Sequence, residues 1–361
     1  NSTNAEVLEK LALQHEIPQL ILDVRKKTKI KNTYLDKIIP QLDRDNHLRT
    51  NFNLHGTTSG RLSSSGKLNM QQLPRDNPIV KGCIKASPGH KIVAMDLTTA
   101  EVYVAAVLAD DLELQDVFRS GGNFHSTIAH KVFKLDCEIE DVAEKFTTYR
   151  QAAKAVTFGI MYGAGALKIS EQVTKDGGKL SHKEAQQIIK EYFTTFWKLR
   201  EWLDGMKEEI GRKGFVYSHF GRKRRLPDAK IVRTQPEPSV SWRRQASATS
   251  NDRAQSHGVR SGINFLVQSA ASDINLIGAM EAHAIIKQKN MKSKMFALVH
   301  DSVLAEVPLD EVDEYCKILQ EQIQKDRGIY ISGAPVGCDF EIGDDYSMGK
   351  FDKNYGSILN V

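Results

Sequence analysis

Residues Tyr149–Gly163 read YRQAAKAVTFGIMYG, and within them Arg150, Lys154, Phe158 and Tyr162 recur every four residues. Each step of four overshoots a full helical turn by about 40°, so the four side chains share a face about 120° wide. The spacing therefore predicts a helix over 150–162 with two cations toward its N-terminus and two aromatics beyond them. A triphosphate carrying a base needs that order: Arg and Lys to neutralise the phosphates, then a flat ring for sugar and base. A helix with snorkelling cations and core aromatics has the same spacing, so this face alone leaves both readings open.

Carboxylates on either side of this helix sharpen the choice. After the Ser87-Pro88-Gly89 turn signal, the apolar run Ile92–Met95 ends at Asp96, which reads as a buried strand with a carboxylate at its end. Two apolar runs, MFALV and VLAEV, flank His300-Asp301-Ser302 within Lys294–Val307, the pattern of a β-hairpin with a carboxylate at its tip. Buried carboxylates need a partner or a metal. Two of them together could hold a pair of divalent ions for phosphoryl or nucleotidyl transfer, although either one alone is as often a turn or cap residue.

The chain has 361 residues, 40% hydrophobic and 26% charged, a composition that excludes disordered and fibrous classes and allows two or three domains. Its longest apolar run, Val102–Ala109, is far short of the roughly 18 to 20 residues of a membrane span. The cysteines Cys83, Cys137, Cys316 and Cys338 form no CxxC pair, which argues against a zinc site or disulfide framework and fits a reducing compartment. Fifty Lys and Arg against 45 Asp and Glu give +5. The clusters Arg222–Arg225, Arg243-Arg244 and Lys26, Lys27, Lys29, Lys31 are either solvated faces or a nucleic-acid footprint.

The first 48 residues read as helical, with Pro40 closing the region. The string HGTTSGRLSSSGKLNMQQLPRD, from His55, has neither helical nor strand period and reads as a long ordered loop. Helices are predicted over Ala100–Leu108, Phe124–Val132, Ser181–Gly205, Lys207–Gly211 and about Arg260–Lys287. Another has Val312, Tyr315, Cys316, Leu319 and Ile323 on one face, and a strand is predicted near Val336–Phe340. The Ser-, Gln- and Pro-rich residues 233–258 read as an extended surface excursion. No internal repeat is present.

Tyr149–Gly163 resembles the nucleotide-binding fingers helix of A-family DNA polymerases, the bacterial DNA polymerase I group and its phage relatives. Other motifs of that family follow in its order. AMDLTTAEVYVAAVLADD, from Ala94, is similar to the first catalytic motif, and LVHDS, from Leu298, to the last. TSGRLSSSGKLNMQQLP, from Thr58, resembles the template-primer loop, RSGINFLVQSAASD, from Arg260, the helix contacting template and primer bases, and GFVYSHFGRKRRLPD, from Gly214, the fingers-to-palm link.

The resemblance implies an α+β polymerase right hand: an antiparallel palm sheet, helical fingers and a partial helical thumb. It places the thumb at 1–48, the palm at 49–109 and 259–361, and the fingers at 110–258 with the excursion. It implies Asp96 and Asp301 as metal-binding carboxylates with the Leu97 carbonyl, two Mg²⁺ ions with Mn²⁺ as a substitute, and His300 beside the primer end. Arg150, Lys154 and His125 would hold the phosphates, with Lys154 also the acid that protonates pyrophosphate. Phe158 and Glu101 would enclose the sugar, and Tyr162 would guard the insertion site. Arg61, Asn69, Gln71, Arg260, Asn264 and Gln268 resemble the minor-groove readers, which sense the acceptors that all correct pairs share.

Departures from the family pattern are visible too. Leu97-Thr98-Thr99 stands where bacterial members commonly have Tyr-Ser-Gln, which weakens the case for a triphosphate contact at Thr99. Tyr103 stands where an arginine often follows. Ser302, where many members carry glutamate, reads as a hairpin residue without catalytic duty. The partners implied are primer-template DNA and deoxynucleoside triphosphates in the cytoplasm of a bacterium or phage-infected host. Only 54 residues precede the His55 loop, none in an acidic exonuclease cluster, and the chain begins at Asn1. These features create the expectation of a fragment or split-enzyme half, served by a separate chain supplying thumb and exonuclease, with short products and no 3′-to-5′ excision. A single-subunit RNA polymerase and a non-catalytic primer-template binding module are the alternatives; a metal nuclease is disfavoured by its shortage of carboxylates.

Overall fold

The apolar run before Asp96 folds, in the computed structural model, as strand β1 (His90–Thr98), the centre of a six-stranded sheet. The structure describes residues 3–12, 14–66, 69–73, 78–230, 242–352 and 357–358. The other strands are β2 (Lys294–Val299), β3 (Ser302–Pro308), β4 (Gly337–Gly343), β5 (Gly349–Asp352) and β6 (Ser357–Ile358), in the order β6-β5-β4-β1-β3-β2. Every neighbouring pair is antiparallel. β1 is buried on both faces, which explains its unbroken apolar sequence. Val93 and Met95 join the main core under the helices, while Ala94 packs with Ala297 and Leu304 on the other face. The hairpin predicted around His300-Asp301 is present, and its tip turns through His300, held at φ +56°.

The helices that cover the sheet and extend from it include α1 (Ala100–Leu108), α2 (Phe124–Phe133), α3 (Thr147–Met161), α4 (Ala166–Lys175), α5 (His182–Thr195), α6 (Trp197–Lys213), α7 (Trp242–Gln288) and α8 (Val312–Ile323). On α8, the predicted face with Tyr315, Cys316, Leu319 and Ile323 is the buried one. Two expectations differ. The predicted break at Gly205 is absent, since α6 runs through it, and the break lies instead at Phe196, a fully buried side chain at φ −104°, ψ +61°. Packing of Phe196, Leu199 and Leu203 outweighs the weak local preference of one glycine.

The excursion expected over 233–258 is likewise corrected: from Trp242 onward the chain is already α7, while 231–241 lie outside the described residues. Residues 242–257 hold no Pro or Gly, so their polar composition does not bar a helix. The expected boundary at 258/259 therefore falls inside one continuous helix.

At the N-terminus, helices Ala5–Ala12 and Glu16–Lys29 form as expected. The stripe Ile17, Leu20, Ile21 and Val24 is nevertheless exposed, and the second helix buries none of its residues. The His55 loop is ordered by a short ladder, Asn51–Asn53 with Ser63–Ser65, and by a 3₁₀ turn at Met70–Gln72.

One buried carboxylate joins two helices. Asp111, 2% exposed, accepts from the Leu114 amide at 3.0 Å and from the Leu199 amide at 2.9 Å, capping helix Leu112–Arg119 and the first turn of α6. Asp111→Ala would orphan both donors, and a loss of about 2–4 kcal/mol is expected in denaturant unfolding.

Candidate active site

Strand pairing alone brings the two aspartates together. Asp96, near the end of β1, is in register with Ser302 on β3 and with Asp339 on β4. Asp301 precedes Ser302 at the hairpin tip, and the Leu97 amide donates to the Asp301 carbonyl at 3.3 Å. The Ser302 hydroxyl donates to Asp96 Oδ1 at 2.6 Å, a contact that the hairpin reading of Ser302 does not anticipate.

Five of the expected site residues form one hydrogen-bonded chain. Arg61 Nη2 donates to Asp301 Oδ1 and Oδ2, at 2.9 and 3.1 Å, and to Glu101 Oε1 at 3.1 Å. The Tyr162 hydroxyl donates to Glu101 Oε2 at 2.5 Å and accepts from Gln268 Nε2 at 3.2 Å. Burial, aided by the Glu101 carboxylate, pushes the Tyr162 phenol up to about 12, so it remains a donor at neutral pH. The loop, hairpin, α1, α7 and the end of α3 are thereby tied together.

The residue before Arg61 packs on a side chain that the sequence shows only as part of a basic run. Gly60, at φ +85°, packs against the Arg222 guanidinium so closely that a Cβ would lie 2.3 Å from its Nη2. Arg222 in turn donates to Asp273 at 2.7 Å and Ser269 at 3.3 Å. Arg224 donates to Thr58 Oγ1 at 2.7 Å in the same loop. Basic runs are usually solvated, so only the fold exposes this role. Tyr103 is structural: its buried hydroxyl donates to the Ala334 carbonyl and accepts from the Ile331 amide.

Asn69 and Gln71 hold the loop in this structure. Gln71 accepts from the Ser64 amide at 3.1 Å and donates to the Leu62 carbonyl at 2.8 Å and the Leu298 carbonyl at 3.4 Å, while Asn69 accepts from the Ser64 hydroxyl and the Gln71 amide. Thr99 sits at φ +51° as the N-cap residue of α1, its side chain making no capping bond. His300 is exposed at the hairpin tip. Arg260 lies over the turn after α3, where Gly163 has φ +67° and a Cβ would meet Arg260 Cδ at 2.3 Å. The Asn264 Oδ1 atom is buried without a partner.

The cationic face of α3 forms the second half of the site. Lys154 is exposed, and Lys154, Phe158 and Tyr162 line a cleft of about 630 Å³ with Lys168 and Lys175. Arg150 donates to Asn123 Oδ1 at 3.4 Å, yet its Nε is buried without a partner. The Phe158 ring lies 5.4 Å from that of His125, whose buried Nδ1 also lacks one. Burial, reinforced by the Lys154 and Arg150 charges, pulls the His125 imidazole down to about 4. It is neutral at pH 7. Because its folded value lies below the usual one, its contribution to stability is full above about pH 6.5 and falls away as pH drops toward 4. NMR titration of the His125 ring should show this low value, and an added triphosphate, by supplying negative charge, should raise it.

Asp96, Asp301 and the Leu97 carbonyl offer hard oxygen donors suited to Mg²⁺. Among the described residues, the tight group of three metal-type side chains is elsewhere: Asp43, Asp45 and His47. Asp43 there is already satisfied by Arg49 and by the Asp45 and His47 amides.

DNA polymerase family A, as a family description, matches residues 1–348. The DNA polymerase of Escherichia phage T5 is 46% identical over 386 aligned positions, covering all of this chain and 43% of the phage protein. The thermostable DNA polymerase I of Thermus aquaticus is 31% identical, covering 97% of this chain and 38% of its own length. The chain thus spans less than half the length of these relatives. A solved polymerase domain of Pol1 from M. smegmatis, in complex with DNA primer-template and dNTP, superposes with a TM-score of 0.79 at 24% identity, over 96% of this chain and 56% of that one. That likeness establishes the right-hand fold. Matched along nearly its whole length by the family description, this chain belongs to DNA polymerase family A.

Proposed function

We propose that the chain adds deoxynucleotides to a primer 3′ end under direction of a template, releasing pyrophosphate. The observation that carries this reading is the meeting of Asp96 and Asp301 at adjoining strand ends, beside loop and helix residues linked to Asp301 through Arg61. The α3 cations and His125 receive the triphosphate, whose oxygens would satisfy the orphaned Arg150 Nε and His125 Nδ1. Lys154, exposed on the same face, is placed to protonate the leaving pyrophosphate. Phe158 offers the sugar a ring, and Tyr162 stands at the template side. Two Mg²⁺ ions held by Asp96, Asp301 and the Leu97 carbonyl, with Mn²⁺ as a substitute, would activate the primer hydroxyl and steady the leaving group. Arg61 has to leave Asp301 for this, and the minor groove of the primer-template offers its guanidinium new acceptors, together with Arg260, Asn264 and Gln268.

In this reading 49–109 and the chain from within α7 onward form the palm, the residues between them the fingers and 1–48 part of a thumb, with duplex held electrostatically by Lys26, Lys29 and Arg61 and therefore salt-sensitively. The exposed stripe Ile17, Leu20, Ile21 and Val24 suits docking of further thumb structure, in cis or from a separate chain that also carries an exonuclease. The setting would be the cytoplasm of a bacterium or of a phage-infected host; among the described residues no helix is long and apolar enough to cross a membrane.

Primer extension with the four dNTPs and, separately, the four NTPs tests the reading. Preferential, template-matched use of dNTPs is expected; preferential NTP use would favour an RNA polymerase, and no extension a binding module. Glu101, held by Arg61 and Tyr162 beside the site, is the candidate barrier to a 2′-hydroxyl. Glu101→Ala should raise NTP use relative to dNTP use by about tenfold or more, measured as the ratio of kcat/KM values.

A further inference from the structure

We infer that Ser302 is a positioning residue for Asp96, an inference that rests on the proposed reading of Asp96 as a metal-holding carboxylate. Asp96 occupies the middle of a three-strand register: Ser302 lies across from it on β3 and Asp339 on β4. Side chains at in-register positions share one face of the sheet with their Cβ atoms about 4.5–5.5 Å apart. Asp96 therefore has a donor on one side and a like charge on the other.

The hydroxyl makes the difference between those sides. At 2.6 Å, the Ser302-to-Asp96 contact has the length of a charge-assisted hydrogen bond. It fixes Asp96 Oδ1 and, with it, the plane of the carboxylate. Asp301 is held independently by Arg61, at 2.9 Å. Without the hydroxyl, Asp96 would be free to rotate and subject to repulsion from Asp339, so a cation would have to order the carboxylate as it bound. Partners that orient a ligating carboxylate commonly set metal affinity in this way.

Ser302 lies on a strand, so the discriminating pair is Ser302→Thr and Ser302→Val, which differ in a hydroxyl against a methyl and both suit a strand. Ser302→Ala is the plain deletion. Mn²⁺ binding to the protein on a primer-template whose primer is dideoxy-terminated, measured over the DNA alone by electron paramagnetic resonance, gives a readout that does not depend on turnover in the state where Arg61 can leave Asp301, and Asp96→Asn serves as the reference for the site itself. Asp96→Asn should abolish the site-specific binding, leaving only whatever the group Asp43, Asp45 and His47 retains. Ser302→Ala and Ser302→Val should each weaken it about tenfold, with Ser302→Thr within about twofold of the parent. The Mg²⁺ concentration for half-maximal primer extension should rise in the same order, with DNA affinity unchanged. Unaltered Mn²⁺ binding in Ser302→Ala and Ser302→Val, or Ser302→Thr as weak as Ser302→Val, would overturn the inference while leaving the site reading intact. Parent-like binding by Asp96→Asn would overturn the site reading itself.

Discussion

Asp301→Asn is expected to slow nucleotide addition by at least about a thousandfold while leaving duplex affinity nearly unchanged. The side chain keeps its size and can still accept from Arg61 through its amide oxygen, so the hairpin tip should retain its shape. What disappears is a negative charge at the point where cations and a developing oxyanion would meet. Duplex binding, by contrast, depends on Lys and Arg contacts to phosphates and loses none of them. The informative comparison is single-turnover rate against equilibrium DNA binding. A matching fall in both would mean that Asp301 acts through Arg61 and the loop rather than through the chemistry.

Replacing Lys154 should produce the next largest loss. It is exposed on the α3 face, one turn from Arg150, and nearby charge from both residues contributes to the low value at His125. Lys154→Ala removes a phosphate-binding charge and the proposed proton donor together, so kcat should fall by about 10²–10³-fold while KM for the triphosphate rises. Lys154→Arg keeps the charge but is a far weaker acid, and should recover KM more fully than kcat. Equal recovery of both would assign Lys154 to binding alone. Solvent-isotope and pH-rate profiles of the two variants make the same separation.

How far the sequence discloses this site depends on which interaction fixes each residue. Asp301 was legible because apolar runs on both sides of His300-Asp301 specify a hairpin, and strand pairing then fixes where its tip lies. The common helix of Arg150, Lys154 and Phe158 was legible because helical spacing is a local property of the chain. Ser302 was not, because its role depends on register with a strand far away in sequence. Arg222 was hidden inside a basic run, and only the approach of Gly60 and Asp273 distinguishes it from its neighbours. The polar half of α7 misled for a different reason: Ser, Gln and Asn lower helix preference only modestly, and residues 242–257 hold no Pro or Gly to break the helix. At Phe196 a buried ring set the helix boundary against the local preference at Gly205.

Template-directed transfer at Asp96 and Asp301 can be followed by rapid-quench addition of a single nucleotide to a primer, on four templates that differ in the first unpaired base, with pyrophosphate counted alongside. Each template should select its complementary dNTP, one pyrophosphate should appear per nucleotide added, and Asp96→Asn and Asp301→Asn should abolish both signals without releasing the DNA. Addition that ignores the template base, or parent-like rates in either variant, would contradict template-directed transfer at these two aspartates.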